Sequence, residues 1–273
     1  MEILGYFASA LIGVSLGLIG GGGSILTVPV LVYLFGIDPI LATAYSLFIV
    51  GSTSLVGSFT KFKDGMVNVK TAIIFGIPAI FAVYATRAYL VPVIPSTIFT
   101  ISDFVVTKAM LMMGLFAVLM VFASVSMIRN KPIAVSAEAE KTPQSFNYPM
   151  ILMEGIVVGV LTGLVGAGGG FLIIPALVLF SKLPMKQAVG TSLVIIAAKS
   201  LIGFLGDISH YELDWTLLAT ITGLAIAGIF IGNILSRKVD SDKLKKSFGW
   251  FVLAMGIYIL VKELVLAPGG LSH

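Results

Sequence analysis

Apolar runs of about twenty residues recur from one end of this chain to the other, and nothing constrains its fold more. A helix needs about 20 mostly apolar residues to cross a hydrocarbon core about 30 Å thick. Such runs cover Ile3–Ile19, 40–60, 68–86, 105–128, 149–165, 186–206, 214–235 and 247–266. They are continuous and rich in Gly, Ala, Leu and Ile, without the period-2 polarity of barrel strands. The expected class is therefore all-α, a polytopic membrane protein with eight to ten membrane segments. Only 11% of the 273 residues are charged and 58% are hydrophobic, far from the composition of a soluble domain. No basic n-region precedes the first run, so that run is expected to stay in the protein. The net charge of +4 comes from Lys and Arg gathered in a few loops. That is a mark of topology, and nucleic acid is not an expected partner.

Shifted by about 146 residues, the chain matches itself without a gap, 13–59 against 159–205. Gly17 meets Gly163, Gly20 meets Gly166, Gly22 and Gly23 meet Gly168 and Gly169, and Pro29 meets Pro175. Farther on, Ser46 meets Ser192, Ser54 meets Ser200 and Gly57 meets Gly203. This divides the chain into a first repeat over 1–128, a polar linker over 129–148 and a second repeat over 149–273. Matching loops carry opposite character. Lys61, Lys63 and Lys70 flank one, whereas Asp207, Glu212 and Asp214 mark its counterpart. With the basic loops 61–68, 129–148, 181–186 and 237–246 inside, both termini face outward and the repeats are inverted in topology. That organisation is characteristic of secondary transporters.

Each repeat opens with a helix broken by glycine: Gly20-Gly21-Gly22-Gly23-Ser24 in the first, Gly166-Ala167-Gly168-Gly169-Gly170 in the second. A glycine costs roughly 1 kcal/mol relative to alanine inside a helix, so four together favour unwinding. Exposed amides at membrane depth are tolerated where they line a cavity or are buried in protein. The helix after each break turns free N–H groups and the positive end of its dipole toward whatever lies ahead, which suits an anion. The candidate substrate-binding amides are those of Gly21, Gly22, Gly23, Ser24 and Ile25 and of Ala167, Gly168, Gly169, Gly170 and Phe171. Gly13, Gly17, Gly159 and Gly163, spaced by four, read instead as close-packing positions. Neither nucleotide fingerprint holds, because no Gly-Lys-Ser/Thr follows and no βαβ unit is present.

Lys199 lies well inside its apolar segment, where a lysine costs about 3 kcal/mol and by default signals function. Ser192 and Lys199, seven residues apart, share a helical stripe with Ser200 and Gly203 beside it. The first repeat has Ser46, Thr53, Ser54 and Gly57 on the same seam. Ser46, Thr53, Thr191, Ser192 and Lys199 join the substrate-binding set. Glu154 and Asp207 are proton-coupling candidates, and Asp207 or Glu154 is also a possible ion-pair partner of Lys199. Arg87, Lys108 and Lys262 fall near helix ends and read as snorkelling anchors. His210 and His273 stand alone. No metal-ligand cluster and no nucleophile–base set is apparent, so no cofactor and no enzymatic reaction is expected.

The motifs Gly17-Leu18-Ile19-Gly20-Gly21-Gly22-Gly23-Ser24-x-x-x-x-Pro29 and Gly163-Leu164-Val165-Gly166-Ala167-Gly168-Gly169-Gly170-Phe171-Leu172-x-x-Pro175, with Ala188-Val189-Gly190-Thr191-Ser192 following, resemble the sulfite exporter TauE/SafE family over essentially the whole chain. The resemblance implies a multipass protein of the cytoplasmic (inner) membrane moving sulfite, organosulfonates or related anions. Joined to the residue-level reading, it gives a secondary transporter of a small sulfur-containing anion by alternating access. Its partners would be the anion, the lipid bilayer and a coupling ion, H+ or Na+. A passive anion channel or a non-transporting membrane partner is the alternative.

Overall fold

A computed structural model describes residues 2–101, 104–129, 148–179, 181, 183–236 and 241–263. Most of the 129–148 linker, part of the basic 237–246 run and His273 lie outside the described residues. The chain is all-α and polytopic apart from one hairpin. Among the described residues, five helices are long and apolar enough to span a bilayer: α3 (Pro39–Lys63), Val69–Val93, α6 (Lys108–Arg129), α9 (Met185–Leu205) and α10 (Trp215–Leu235). Shorter apolar helices cover Ile3–Ile19, Gly23–Tyr33, Pro149–Val165 and Gly249–Val261. The first of these belongs to α1 (Glu2–Ile19), the third to α7 (Tyr148–Val165) and the fourth to α11 (Ser241–Val261).

The Val69–Val93 span is α4 (Val69–Ala85) continued by a π-helical stretch, Thr86–Leu90, and the single turn α5 (Val91–Val93). Between α5 and α6, β1 (Thr97–Ile101) pairs antiparallel with β2 (Phe104–Thr107). The fourth apolar run was expected to be helical from Val105. Instead the aromatic and β-branched run Phe104-Val105-Val106-Thr107 favours a strand, and the Lys108 N–H donates to Ser96 O at 2.9 Å where the helix begins.

Polarity is inverted relative to a soluble protein. Ile3, Phe81, Phe122 and Met153 are exposed, whereas Ser46, Thr53, Ser54, Thr191, Lys199 and Ser200 are fully buried. An apolar outside around a hydroxyl-rich inside is what a lipid solvent selects.

Helix α1 runs parallel to α10. A Cβ on Gly13 would lie 1.9 Å from Ala225 O, one on Gly17 2.6 Å from Ile229 O, and one on Gly232 2.3 Å from Val14 O. Helices α7 and α4 repeat the arrangement, with Gly155 on Phe75 O, Gly159 on Ala79 O and Gly163 on Thr86. These glycines are the close-packing positions that their spacing suggested. Helices α3 and α9 cross antiparallel, since Gly51 meets Leu201, Gly57 meets Leu193 and Gly190 meets Lys61 and Met66. So do α6 and α11, with Gly249 at Met127 and Gly256 at Met120.

Matched residues also make matched hydrogen bonds. Asn68 caps α4 by accepting from Thr71 N at 3.0 Å, and Asp214 caps α10 by accepting from Leu217 N at 3.0 Å. The Asn68 N–H donates to Thr191 Oγ1 at 2.9 Å, and the Asp214 N–H donates to Tyr45 Oη at 2.7 Å. All four pairs are related by the shift that aligns the repeats.

Candidate functional site

The two glycine breaks meet at the centre of this packing, but they are not wound alike. Gly20–Leu26 forms a 3-10 helix leading into α2 (Thr27–Tyr33), with Gly20 at positive φ, 73°. In place of the expected unwinding, the first break keeps a helical path, wound as the tighter 3-10 form used in short pieces. Ser24 closes it by donating its hydroxyl to Gly21 O at 2.7 Å. The second break is open: Gly166, Gly168 and Gly169 have φ of 71°, 65° and 72° before α8 (Gly170–Leu179) begins. A side chain at any of the three would strain the backbone.

Gly170 packs directly on the first break, where a Cβ would lie 2.1 Å from Gly21 Cα. A Cβ on Gly168 would meet Val50 and the Ser24 side chain. Gly21 lies against Ile196, and Ala167, Phe171 and Ile25 are buried among the apolar side chains around the breaks.

Lys199 reaches this junction from α9. Its ammonium donates to Thr162 Oγ1 at 2.6 Å, and a Cβ on Gly169 would lie 3.0 Å from Nζ. Thr162 in turn donates to Gly159 O at 3.3 Å. Lys199 is fully buried and, among the described residues, forms no ion pair. It therefore sits beside the start of α8, where the Leu172 and Ile173 N–H groups donate to Gly169 O at 3.0 Å and the amides ahead of them carry the positive end of the helix dipole, with room in its hydrogen-bonding inventory for two further acceptors.

On α3 and on α9 itself the hydroxyls of Ser46, Thr53 and Ser54 and of Ser200 are buried without a hydrogen-bond partner, as is Thr27 Oγ1 near the first break. The position that matches Lys199 in the first repeat is Thr53. Ser192 is satisfied locally, donating to Val189 O at 2.8 Å, and Thr191 is engaged by Asn68. Glu154, half-buried on α7 with Oε2 unpartnered, lies eight residues before Thr162, about 12 Å along the axis.

Asp207 does not reach Lys199. It forms a buried ion pair with Arg87, Nε to Oδ2 3.2 Å, and Arg87 Nη2 also donates to Thr43 Oγ1 at 2.9 Å. Arg87 is thus no snorkelling anchor, because the helix continues through the π-helical stretch and carries the guanidinium inward at zero exposure. Lys108 likewise turns inward and donates to Val91 O. Lys262 covers the Tyr33 ring at 4.1 Å from its centroid. The partners Thr162 and Thr43 escaped the sequence reading. Thr162 carried a faint signal, a hydroxyl in the otherwise apolar stretch just before the second break.

Buried hydroxyls and a buried lysine enclosed by lipid-facing helices define a polytopic α-helical membrane protein with a polar interior at two glycine breaks. The chain belongs to the sulfite exporter TauE/SafE family, whose profile matches residues 6–259. It is 29% identical over 256 residues to a probable membrane transporter protein of Xylella fastidiosa (strain 9a5c), covering 93% of this chain and 92% of that one. The probable membrane transporter protein YdhB of Bacillus subtilis (strain 168) is 26% identical over 251 residues, 92% of this chain and 96% of the relative. A probable membrane transporter protein of Methanocaldococcus jannaschii is 34% identical over 117 residues, 41% of this chain and 44% of its own. No solved structure matches. The family and its relatives make this chain a membrane transporter.

Proposed function

We propose that the protein is a secondary transporter of a small sulfur-containing oxyanion such as sulfite, working by alternating access in the cytoplasmic membrane. The observation that carries this reading is Lys199, a buried ammonium that has no counter-ion among the described residues, beside the open glycine break at the start of α8. A buried charge needs a partner. An oxyanion supplies one, accepting from Nζ and from the Gly168–Phe171 amides through several oxygens at once. The unpartnered hydroxyls of Ser46, Thr53, Ser54 and Ser200 add donors near that junction. The inverted-repeat reading draws support from the antiparallel crossing of both matched helix pairs, α3 with α9 and α6 with α11.

A thermal-shift screen of the purified chain against sulfite, thiosulfate, sulfate, sulfoacetate and taurine tests the site. An anion present at a hundred times its dissociation constant stabilises by about 2.7 kcal/mol, and Lys199→Ala should abolish most of that gain. Equal stabilisation of the variant would remove Lys199 from the site. Saturable, gradient-driven sulfite uptake into proteoliposomes separates transport from passive conduction.

A further inference from the structure

We propose that Arg87 is a second anion-binding side chain of the same pathway, and that the Asp207 carboxylate occupies its guanidinium until a substrate oxyanion displaces it. The inference rests on the anion-transporter reading above.

Arg87 and Asp207 form the one ion pair buried at both ends among the described residues, at 0% and 1% exposure. The pair is poorly saturated. Asp207 meets the guanidinium at Nε, Thr43 takes Nη2, and both Nη1 and Asp207 Oδ1 lack a hydrogen-bond partner. A guanidinium offers five donors in a planar fork that matches two oxygens of an oxyanion. Here part of that fork is unspent.

The pair also sits beside the same open break as Lys199. Thr43, which Arg87 holds, lies against Gly166, the first residue of the open break; a Cβ there would be 2.4 Å from Thr43 O. Thr86 packs on Gly163, and Gly206 lies against the Arg87 side chain. From Lys199 to Leu205, where α9 ends before Asp207, is six residues or about 9 Å. Two buried cations therefore flank the second break, Lys199 at Gly169 and Arg87, through Thr43, at Gly166, and loop charge places the Arg87 end outside.

The repeat does not require this pair for packing. The positions matching Arg87 and Asp207 carry Asn233 and Lys61, yet α1 packs on α10 much as α7 packs on α4. Nor is a buried ion pair a strong stabiliser compared with apolar residues of like volume. An exchangeable carboxylate accounts for both facts. It neutralises Arg87 while the pathway is empty and yields it to an arriving anion of similar geometry.

The test measures sulfite binding by calorimetry and sulfite uptake into proteoliposomes with the full chain. Three variants are compared: Asp207→Asn, the neutral pair Arg87→Gln with Asp207→Asn, and the reversed pair Arg87→Asp with Asp207→Arg. Removing the competing carboxylate should tighten sulfite binding several-fold, whereas the neutral pair should weaken it about 10-fold or more, the worth of a charged hydrogen bond. The neutral pair leaves no uncompensated charge, so its folding is expected to survive. The reversed pair restores the ion pair but moves the cation to the other helix, and uptake should stay at least about 10-fold below wild type. Wild-type affinity in both Asp207→Asn and the neutral pair, or full uptake by the reversed pair, overturns the proposal and leaves Arg87 as structure. Absence of sulfite binding and uptake by the wild-type protein would instead overturn the anion reading itself, and this inference with it.

Discussion

At the scale of single residues, depth in the membrane was legible for Lys199 and not for Arg87, and the reason is geometric. Lys199 has uncharged residues for more than three turns before it and for nearly two after it, which sets it well inside the segment. Arg87 stands near the end of a run that counting would close, yet the chain stays helical to Val93 and the 206–210 turn carries Asp207 to it. Thr191 shows the opposite case: a hydroxyl on the motif that belongs to helix capping. Thr191→Val should cost about 1–3 kcal/mol, because the Asn68 N–H loses its acceptor. Tyr45→Phe should cost a similar amount through Asp214 N. Thermal melting of both variants checks this, and an unchanged KM for sulfite separates capping from substrate binding. A large rise in KM with unaltered stability would return Thr191 to the site.

At the scale of elements, the glycine spacing in α1 and α7 announced close packing but not the partner. Two helices of like pattern offer no sequence cue that α1 seeks α10 of the other repeat and α7 seeks α4. Only the fold settles that, by laying Gly13 and Gly17 on Ala225 and Ile229 and Gly159 and Gly163 on Ala79 and Thr86. Gly13, Gly17 and Gly159 lie against backbone atoms of the partner helix, with little room for relaxation. Gly13→Leu and Gly159→Leu should therefore each destabilise by about 3 kcal/mol or more through overpacking, while Gly223→Leu on α10, where a Cβ would meet nothing within 4 Å, should be near neutral. Melting curves in detergent would compare the three, and equal midpoints would mean that α1–α10 and α7–α4 do not pack as described. The breaks themselves differ for a reason that sequence pattern hides. Both are glycine-rich, but only the second is driven into positive φ at three positions, where it must pass Thr43, Val50 and Thr162.

At the scale of the whole molecule, the repeats are interleaved. The first helix of each packs on a late helix of the other, so an alternating-access motion cannot be a simple rocking of residues 1–128 against 149–273. Bodies that keep α1 with α10 and α7 with α4 would move about the α3–α9 crossing, where the breaks, the buried hydroxyls and Lys199 lie. Such a motion exchanges the exposed end of one site only if matched loops open on opposite sides of the membrane. Asp64 and His210 occupy the same place in the two repeats, and both are exposed. The chain contains no cysteine, so Asp64→Cys and His210→Cys each give a single reactive thiol. In right-side-out vesicles a membrane-impermeant maleimide should label His210→Cys and spare Asp64→Cys, and in inverted vesicles the pattern should reverse. Labelling of both from one side would mean that the repeats run parallel, and the in-plane symmetry that brings two breaks to one site would have to be abandoned.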